Sequence, residues 1–181
     1  MIHWFIQAKS VLPHAVYKTV YDIDYKAYKP HYEAVLFDLD NTLLPYDNSD
    51  VTEAIQTLFS TLKTLGYQVM IVSNSTSSRV KATAEILDVP WLKSAKKPLK
   101  HGFKKALKTL QAEAETTLFI GDQLMTDVWG ANRVGMTPIL VRAIKRKSER
   151  WYTRFNRYLE RKMLVKLARI APEKAKEIKA L

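Results

Sequence analysis

The 181-residue sequence predicts an α/β fold of three layers, in which a doubly wound parallel sheet lies between two layers of helices. Four short apolar runs that are typical of buried strands lie at 34–37, 67–72, 118–120 and 137–141. Patterns typical of amphipathic helices separate these runs, and strands that alternate with helices form βαβ units with a parallel sheet. The length suits one domain with a single core.

The predicted helices follow apolar residues that recur every three or four positions. These patterns lie at 51–65, 80–87, 103–110 and 128–134. Gly66 follows the first pattern and Gly135 the last one, and glycine commonly ends a helix. Residues 90–92 are a candidate for one further, brief strand.

Nearly all of the excess positive charge lies at the end of the sequence. The chain has 29 basic and 18 acidic residues, a formal net charge of +11. Residues 1–141 contain 15 basic and 14 acidic residues, whereas 142–181 contain 14 and 4. We therefore predict an N-terminal extension packed on the core (1–33), the α/β core (34–141) and a basic helical tail (142–181).

The sequence contains no cysteine, which excludes structural disulfides, thiolate catalysis and cysteine-ligated metal centres. No apolar run approaches the ~20 residues that a membrane-spanning helix needs. The first ten residues lack the features of a secretory signal. We therefore expect a cytoplasmic protein. The basic tail is compatible with peripheral association with the inner face of the membrane.

Polar residues stand where the predicted strands end. They are Asp38, Asp40, Asn41 and Thr42 after the first run, Ser73 and Asn74 after the second, and Asp122 and Asp127 after the third. Lys97 precedes Pro98 ahead of the third helix. In a doubly wound sheet the ligand site forms outside the carboxyl ends of the strands, so we expect these groups along one edge. Carboxylates, a hydroxyl and an ammonium together suit a phosphate group and a magnesium ion.

Each of these signals alone also has a purely structural interpretation. Aspartates after apolar runs are frequent helix caps and turn residues, and Ser73 with Asn74 could cap the following helix. Lys97 could belong to a solvated basic run with Lys96, and its position before Pro98 is the reason to prefer it. The order and spacing of all the segments together favour the functional interpretation.

The segments resemble the four motifs of haloacid dehalogenase (HAD) phosphohydrolases over about residues 34–141. The matching parts are DxDxT at 38–42, the serine at 73, the lysine at 97 and GDxxxxD at 121–127. The strings FDLDNTLLPYD at 37–47 and IGDQLMTDVWGAN at 120–132 look most like the YqeG family of bacterial phosphatases, in HAD subfamily IIIA. That family is related to the mitochondrial phosphatidylglycerophosphate phosphatase.

The resemblance implies a phosphatase that works through a covalent aspartyl-phosphate. Asp38 corresponds to the nucleophile, and Asp40 to the residue that protonates the leaving alcohol and then deprotonates water. Ser73 would donate a hydrogen bond to the phosphate, and Lys97 would offset the charge of the transition state. A second aspartate at position 40 favours ester hydrolysis over dehalogenation, because a halide needs no proton.

The resemblance also implies a Mg²⁺ cofactor. Its ligands would be the side chains of Asp38 and Asp122 and the backbone carbonyl of Asp40, with Asp127 supporting or joining them. The further candidates at the phosphate site are Asn41, Thr42 and Asn74.

The spacing of the motifs leaves no room for a large cap domain. There are 32 residues between Asp40 and Ser73 and 23 between Ser73 and Lys97, and the helices and strands of the core fill both intervals. In many relatives a cap encloses a small substrate. Without one, we expect an open rim that suits a large substrate or one on a surface, unless a partner subunit provides the lid.

As substrate, the resemblance implies a phosphate monoester on a lipid headgroup, with conversion of phosphatidylglycerophosphate to phosphatidylglycerol. One alternative is a phosphatase for a soluble sugar, nucleotide or nucleic-acid phosphate. Another is an RNA- or ribosome-binding protein with a vestigial phosphatase site. The complete set of Asp38, Asp40, Ser73, Lys97 and Asp122 argues against a vestigial site.

The tail has the pattern of a basic amphipathic helix. Its apolar positions are Trp151, Phe155, Tyr158, Leu159, Met163, Leu167 and Ile170. Such a helix can lie on an anionic membrane, pack on the core or on a second subunit, or contact RNA. The pattern alone leaves these interpretations open.

Overall fold

The computed structural model describes residues 7–144 and 151–181, and at 151–155 it describes the backbone. Within these ranges six strands form one sheet in which every pairing is parallel. They are β1 (Ala15–Tyr17), β2 (Ala34–Phe37), β3 (Gln68–Val72), β4 (Trp91–Leu92), β5 (Thr117–Gly121) and β6 (Thr137–Val141). Their order across the sheet is β1-β6-β5-β2-β3-β4, which confirms the predicted α/β fold.

Seven α-helices lie in the described ranges. They are α1 (Tyr25–Tyr28), α2 (Glu53–Thr64), α3 (Arg79–Ile86), α4 (Lys100–Leu110), α5 (Trp129–Asn132), α6 (Trp151–Ile170) and α7 (Pro172–Lys179). Helices α2 to α4 follow the predicted patterns, and the hydroxyl of Thr52 caps α2 by accepting from the N–H of Ile55 at 3.4 Å. The helix predicted at 128–134 begins earlier, with a π-helical turn over Leu124–Val128 that leads into α5.

The core lies on both faces of the sheet, as expected for three layers. Phe37 of β2 packs on one face against Phe59 of α2, with 5.2 Å between their ring centroids. Leu36, the preceding residue, belongs to the cluster on the other face with Phe103 of α4 and Phe119 of β5. Helices on both sides therefore bury β2 completely and hold its carboxyl end at the middle of the sheet edge. In the described parts of the chain, no cap domain is inserted between the strands.

Residues ahead of the predicted core add an edge strand to the sheet. Strand β1 pairs with β6 in the register Ala15 to Ile139, and the side-chain amide of Asn132 donates to the carbonyls of Ser10 and Leu12 at 3.0 Å each. The sequence pattern does not predict β1, because a run of three half-buried residues has no clear periodicity.

The tail packs on the core along the described part of its apolar stripe. Leu159, Met163 and Leu167 of α6 form one cluster with core residues that include Leu124 and Met125. Tyr158 and Ile170, which the pattern assigns to the same stripe, are 52% and 49% exposed. The side chains of Trp151 and Phe155 lie outside the described residues.

The described side chains of the tail therefore show packing on the core, one of the interpretations that the sequence leaves open. Searched over the described ranges, none of the helices has the length and hydropathy needed to cross a lipid bilayer. The division of the chain into an extension, a core and a tail at 33/34 and 141/142 stays a prediction. Elements from both flanks pack on the core: β1 pairs with β6, and α6 shares an apolar cluster with Leu140 of β6.

Candidate active site

A tight loop at the end of β2 carries the two aspartates of the first motif. Asp38 continues the ladder, because its N–H donates to the carbonyl of Ile120 on β5 at 2.8 Å. Asp40 forms an isolated bridge with Leu44, and Asn41 has a φ of 65°, in the left-handed region that asparagine tolerates. The chain turns back directly after β2, and both carboxylates therefore line one cavity at the sheet edge.

Lys97 is buried, and oxygen atoms surround its ammonium group. Its Nζ lies 2.6 Å from Asp38 Oδ1 and 2.8 Å from Asp127 Oδ1, and it donates to the carbonyl of Val72 at 3.0 Å. Burial acts to lower the pKa of Lys97, but attraction to Asp127 and Asp38 outweighs it, so the pKa lies above its usual value. Lys96 is exposed, so the structure places Lys97 and not Lys96 at the site.

The residues after β3 hold other parts of the site in place. Ser73 Oγ is 3.4 Å from Asp40 Oδ2 and accepts a hydrogen bond from the N–H of Ser75 at 3.0 Å. Asn74 accepts from the backbone N–H of Lys97 at 2.6 Å and donates to its carbonyl at 3.0 Å. Asn74 thereby fixes the backbone from which the Lys97 side chain reaches Asp38.

Thr42 and Asn41 lie in the turn that follows Asp38. Thr42 donates to Asp38 Oδ2 at 3.2 Å, so its hydroxyl orients the carboxylate of Asp38. Asn41 lines the cavity, and its carbonyl accepts from the N–H of Ile144 at 3.0 Å. That bond ties the nucleophile loop to the segment after β6.

Three buried carboxylates form a compact acidic cluster. One oxygen from each of Asp38, Asp122 and Asp127 lies within 4.8 Å of the other two. The π-helical turn brings Asp127 back towards β5, where its Oδ2 accepts from the N–H of Gln123 at 3.0 Å. A Cβ on Gly121 would lie 2.5 Å from the side chain of Asp127, so only glycine leaves room for this approach.

The cluster fits a hard cation. Asp122 Oδ1 is buried and has no hydrogen-bond partner among the described residues. Burial raises the pKa of Asp38 to about 7, although Lys97 opposes this, and burial raises the pKa of Asp122 to about 7, against the effect of Arg157. The raised pKa values show that Lys97 and Arg157 do not fully offset the burial of these carboxylates, and oxygen ligands are those that Mg²⁺ prefers.

Arg79, at the start of α3, is a site residue that the sequence analysis does not predict. Its guanidinium donates to the carboxylate of Asp40 and to the carbonyls of Pro45, Tyr46 and Asn48, the last at 2.6 Å. It therefore joins Asp40, the residue expected to act as general acid, to the loop at 45–48. Its place in the first turn after the Ser73 strand end is the signal that could have identified it.

Arg157 of α6 is a second such residue. It donates to the backbone carbonyl of Asp122 at 2.6 Å and to the Asp122 carboxylate, and it pairs with Glu160 at 3.1 Å. Arg157 lies 35 residues beyond Asp122 and outside every motif, so the sequence offers no signal for this contact.

The cavity over these groups is about 50 Å³ in volume. It is lined by Asp38, Asp40, Asn41, Tyr46, Asn74, Ser75, Lys97, Gln123, Thr126 and Asn156. Pockets that enclose drug-sized ligands are typically ~300–1,000 Å³, so this one has room for a phosphoryl group and leaves the rest of a substrate outside.

This fold and this arrangement of strand-end residues define a phosphatase of the HAD type. Solved structures share the fold. A HAD phosphatase from Thermococcus onnurineus is 19% identical with a TM-score of 0.52, over 66% of this chain and 89% of that one. The magnesium-bound HAD-hydrolase YfnB from Bacillus subtilis is 15% identical with a TM-score of 0.50, over 72% of this chain and 99% of that one.

The family follows from the sequence comparisons. The model of the family described as mitochondrial PGP phosphatase matches residues 1–144, and the chain belongs to this family. It is also 37% identical over 162 residues to "Probable phosphatase YqeG" of Bacillus subtilis (strain 168), which covers 89% of this chain and 94% of that protein. The family assignment made from the motifs is thus confirmed.

Proposed function

We propose that the protein hydrolyses a phosphate monoester of a membrane phospholipid, with an aspartyl-phosphate formed on Asp38 and with Mg²⁺ as cofactor. The observation that carries the proposal is the convergence of Asp38, Asp40 and Lys97 on one small cavity, where Asp38 also belongs to the acidic cluster. Each of these groups has a distinct task in phosphoryl transfer.

In the first half-reaction, an Asp38 oxygen attacks phosphorus, the bond from phosphorus to the leaving oxygen breaks, and Asp40 gives its proton to the departing alcohol. In the second, Asp40 takes a proton from water, the water oxygen attacks phosphorus, and the Asp38 carboxylate and inorganic phosphate are released. Lys97, 2.6 Å from Asp38 Oδ1, stays beside the reacting oxygen and offsets negative charge in both steps.

Asp38, Asp122 and Asp127 are the side chains that would hold Mg²⁺, and the Asp40 carbonyl remains a predicted fourth ligand. When bound, Mg²⁺ supplies positive charge that offsets the repulsion between these carboxylates and a phosphate dianion. Asp122 Oδ1, which has no hydrogen-bond partner within the described parts of the chain, supports this assignment.

A lipid substrate is supported by the family and by the shape of the site. The description of the family names PGP phosphatase, and phosphatidylglycerophosphate has its terminal phosphate on a headgroup that projects from a membrane. A cavity of about 50 Å³ without a cap in the described parts of the chain suits such a projecting phosphate.

The exposed side of α6 supports approach to an anionic surface. Opposite the buried stripe, the helix exposes Tyr158, Arg161, Lys162, Val165 and Arg169. Basic residues close to an anionic leaflet contribute ~1 kcal/mol each to binding. This side of α6, here called the outer face, is the surface that we expect to meet the membrane.

The experiment is phosphate release by the full-length protein from phosphatidylglycerophosphate in vesicles, with Mg²⁺ or with excess chelator. Glycerol 3-phosphate, a nucleotide monophosphate and a 5′-phosphorylated RNA serve as soluble competitors at equal concentration. We expect the highest kcat/KM on the lipid, and no phosphate release from any substrate in excess chelator. A higher kcat/KM on a soluble monoester would contradict the lipid assignment, and RNA binding without hydrolysis of any substrate would contradict the enzyme.

A further inference from the structure

We propose that Arg157 and Glu160 of α6 are positioning residues that hold the acidic cluster in the geometry that a cation needs. The basic tail is then part of the active site and not an appendage to it. The inference rests on the proposed function, since it concerns the Mg²⁺ ligands of the same site.

Arg157 holds Asp122 at two points. One guanidinium nitrogen donates to the backbone carbonyl of Asp122 at 2.6 Å and the other donates to Oδ2. The other carboxylate oxygen, Oδ1, is buried and without a partner among the described residues. A carboxylate with one oxygen fixed and one unpaired is oriented for a cation, and outer partners of this kind commonly set the affinity of a metal site.

Glu160 holds the segment that carries the next ligand. Its Oε1 accepts from the N–H of Met125 at 3.4 Å, within the π-helical turn that presents Asp127. Leu159, the neighbour of Glu160, packs in the same apolar cluster as Met125. One turn of α6 therefore contacts both Asp122 and the turn that bears Asp127.

The ion pair between Arg157 and Glu160 determines whether loss of the pair should weaken or strengthen Mg²⁺ binding. A lone guanidinium beside a metal ligand would repel a cation. Glu160 Oε2 lies 3.1 Å from Arg157 Nη1, and the opposite charges of this ion pair reduce that repulsion. The pair therefore orients Asp122 at a lower electrostatic cost to the cation than Arg157 alone would, and its loss should weaken Mg²⁺ binding.

The experiment is calorimetric titration of the full-length, metal-free protein with MgCl₂. Mutation of outer partners of metal ligands typically costs ~10–100-fold in affinity, and we expect a loss in this range for Arg157→Ala. Arg157→Lys should lose about 10-fold by the same principle, because one ammonium cannot span both Asp122 atoms and Glu160. Arg161→Ala, on the outer face of the same helix, is the matched control and should bind Mg²⁺ like the parent.

Equal or tighter Mg²⁺ binding by folded Arg157→Ala would overturn the inference. If circular dichroism shows that Arg157→Ala does not fold, Arg157→Lys and Glu160→Gln decide in its place, and unchanged affinity in both overturns it. If the parent hydrolyses the substrate and the variants bind Mg²⁺ as tightly as the parent does, this inference is overturned and the proposed function stands. Arg157-dependent Mg²⁺ binding by a parent that hydrolyses nothing would overturn only the proposed function, and a parent that binds no Mg²⁺ would overturn both.

Discussion

Arg79 donates a hydrogen bond to the carboxylate of Asp40 from the first turn of α3. The contact orients the group that we expect to protonate the leaving alcohol. Because Arg79 also binds three carbonyls of the loop at 45–48, it holds Asp40 and this loop as one unit.

We therefore expect Arg79→Ala to impair the proton-transfer step. General acid catalysis contributes ~10²–10⁴-fold, and loss of its orientation should cost about 10²-fold on an alkyl phosphate. The loss should be much smaller on p-nitrophenyl phosphate, whose leaving group departs without a proton. Steady-state kinetics on both substrates measure the difference, and Lys81→Ala on the exposed side of α3 is the control. Equal losses on both substrates would assign Arg79 to phosphate binding instead.

A second prediction concerns the nucleophile. Asp38→Asn should abolish turnover, because an amide of the same shape cannot form the aspartyl-phosphate. The fold should persist, since Lys97 keeps its ion pair with Asp127 at 2.8 Å. Phosphate release and circular dichroism test both parts, with exposed Asp50→Asn as the control. Near-normal hydrolysis by Asp38→Asn would show that another residue attacks phosphorus.

The metal ligands should differ in strength. We expect Asp122→Ala to weaken Mg²⁺ binding more than Asp127→Ala, because Asp127 Oδ1 already pairs with Lys97 whereas Asp122 Oδ1 is unpaired among the described residues. Titration calorimetry compares the two variants. Beryllofluoride, a phosphate mimic, should raise the Tm of the parent only when Mg²⁺ is present. Full activity after exhaustive chelation would exclude the proposed cofactor.

The stability of the metal-free protein should fall as the pH rises. Burial raises the pKa of Asp38 and of Asp122 from 3.8 to about 7, so the folded protein binds more protons than the unfolded chain between these values. Stability conferred by a raised carboxyl pKa is lost as the pH rises through this window. We expect the Tm in chelator to decrease from about pH 5 to about pH 7.5, and saturating Mg²⁺ to reverse the trend.

Differential scanning fluorimetry across this pH range measures the effect. Asp122→Asn removes one of the carboxyl groups with a raised pKa and should flatten the slope, whereas exposed Asp50→Asn should keep the slope of the parent. A Tm that rises over the same range in chelator would contradict the assignment of raised pKa values.

The sequence predicts those parts of the site that depend on local chain geometry. Asp38 and Asp122 directly follow apolar runs that must be strands, and parallel strands bring their carboxyl ends to one edge. Arg157 could not be predicted in this way. Its contact with Asp122 exists because α6 packs on the core through Leu159 and Met163, and a helical periodicity does not state which surface its apolar stripe will cover.

The same limit applies to the tail as a whole. Its apolar positions suit a membrane as well as they suit the core or a second subunit, and its basic residues leave RNA as a third interpretation. Only tertiary packing distinguishes Leu167, which is fully buried, from Tyr158, which is half exposed. Removal of residues 142–181 would uncover this packing and unpair Asp122. Truncation therefore cannot test membrane binding, whereas point variants on the outer face can.

The last prediction concerns that face. Replacing Arg161, Lys162 and Arg169 by alanine should reduce cosedimentation with anionic vesicles and leave binding to zwitterionic vesicles at its low level. At ~1 kcal/mol for each basic residue near the surface, the three changes should lower the affinity by at most about 150-fold. The binding of the parent should also weaken in high salt, because ions screen exposed charges. The matched control is alanine at Lys104, Lys105 and Lys108, which places the same loss of charge on the exposed side of α4. If both triple variants lost affinity equally, net charge and not the outer face would govern the attraction, and if neither lost any, the tail would serve only as a packing element and a support for the active site.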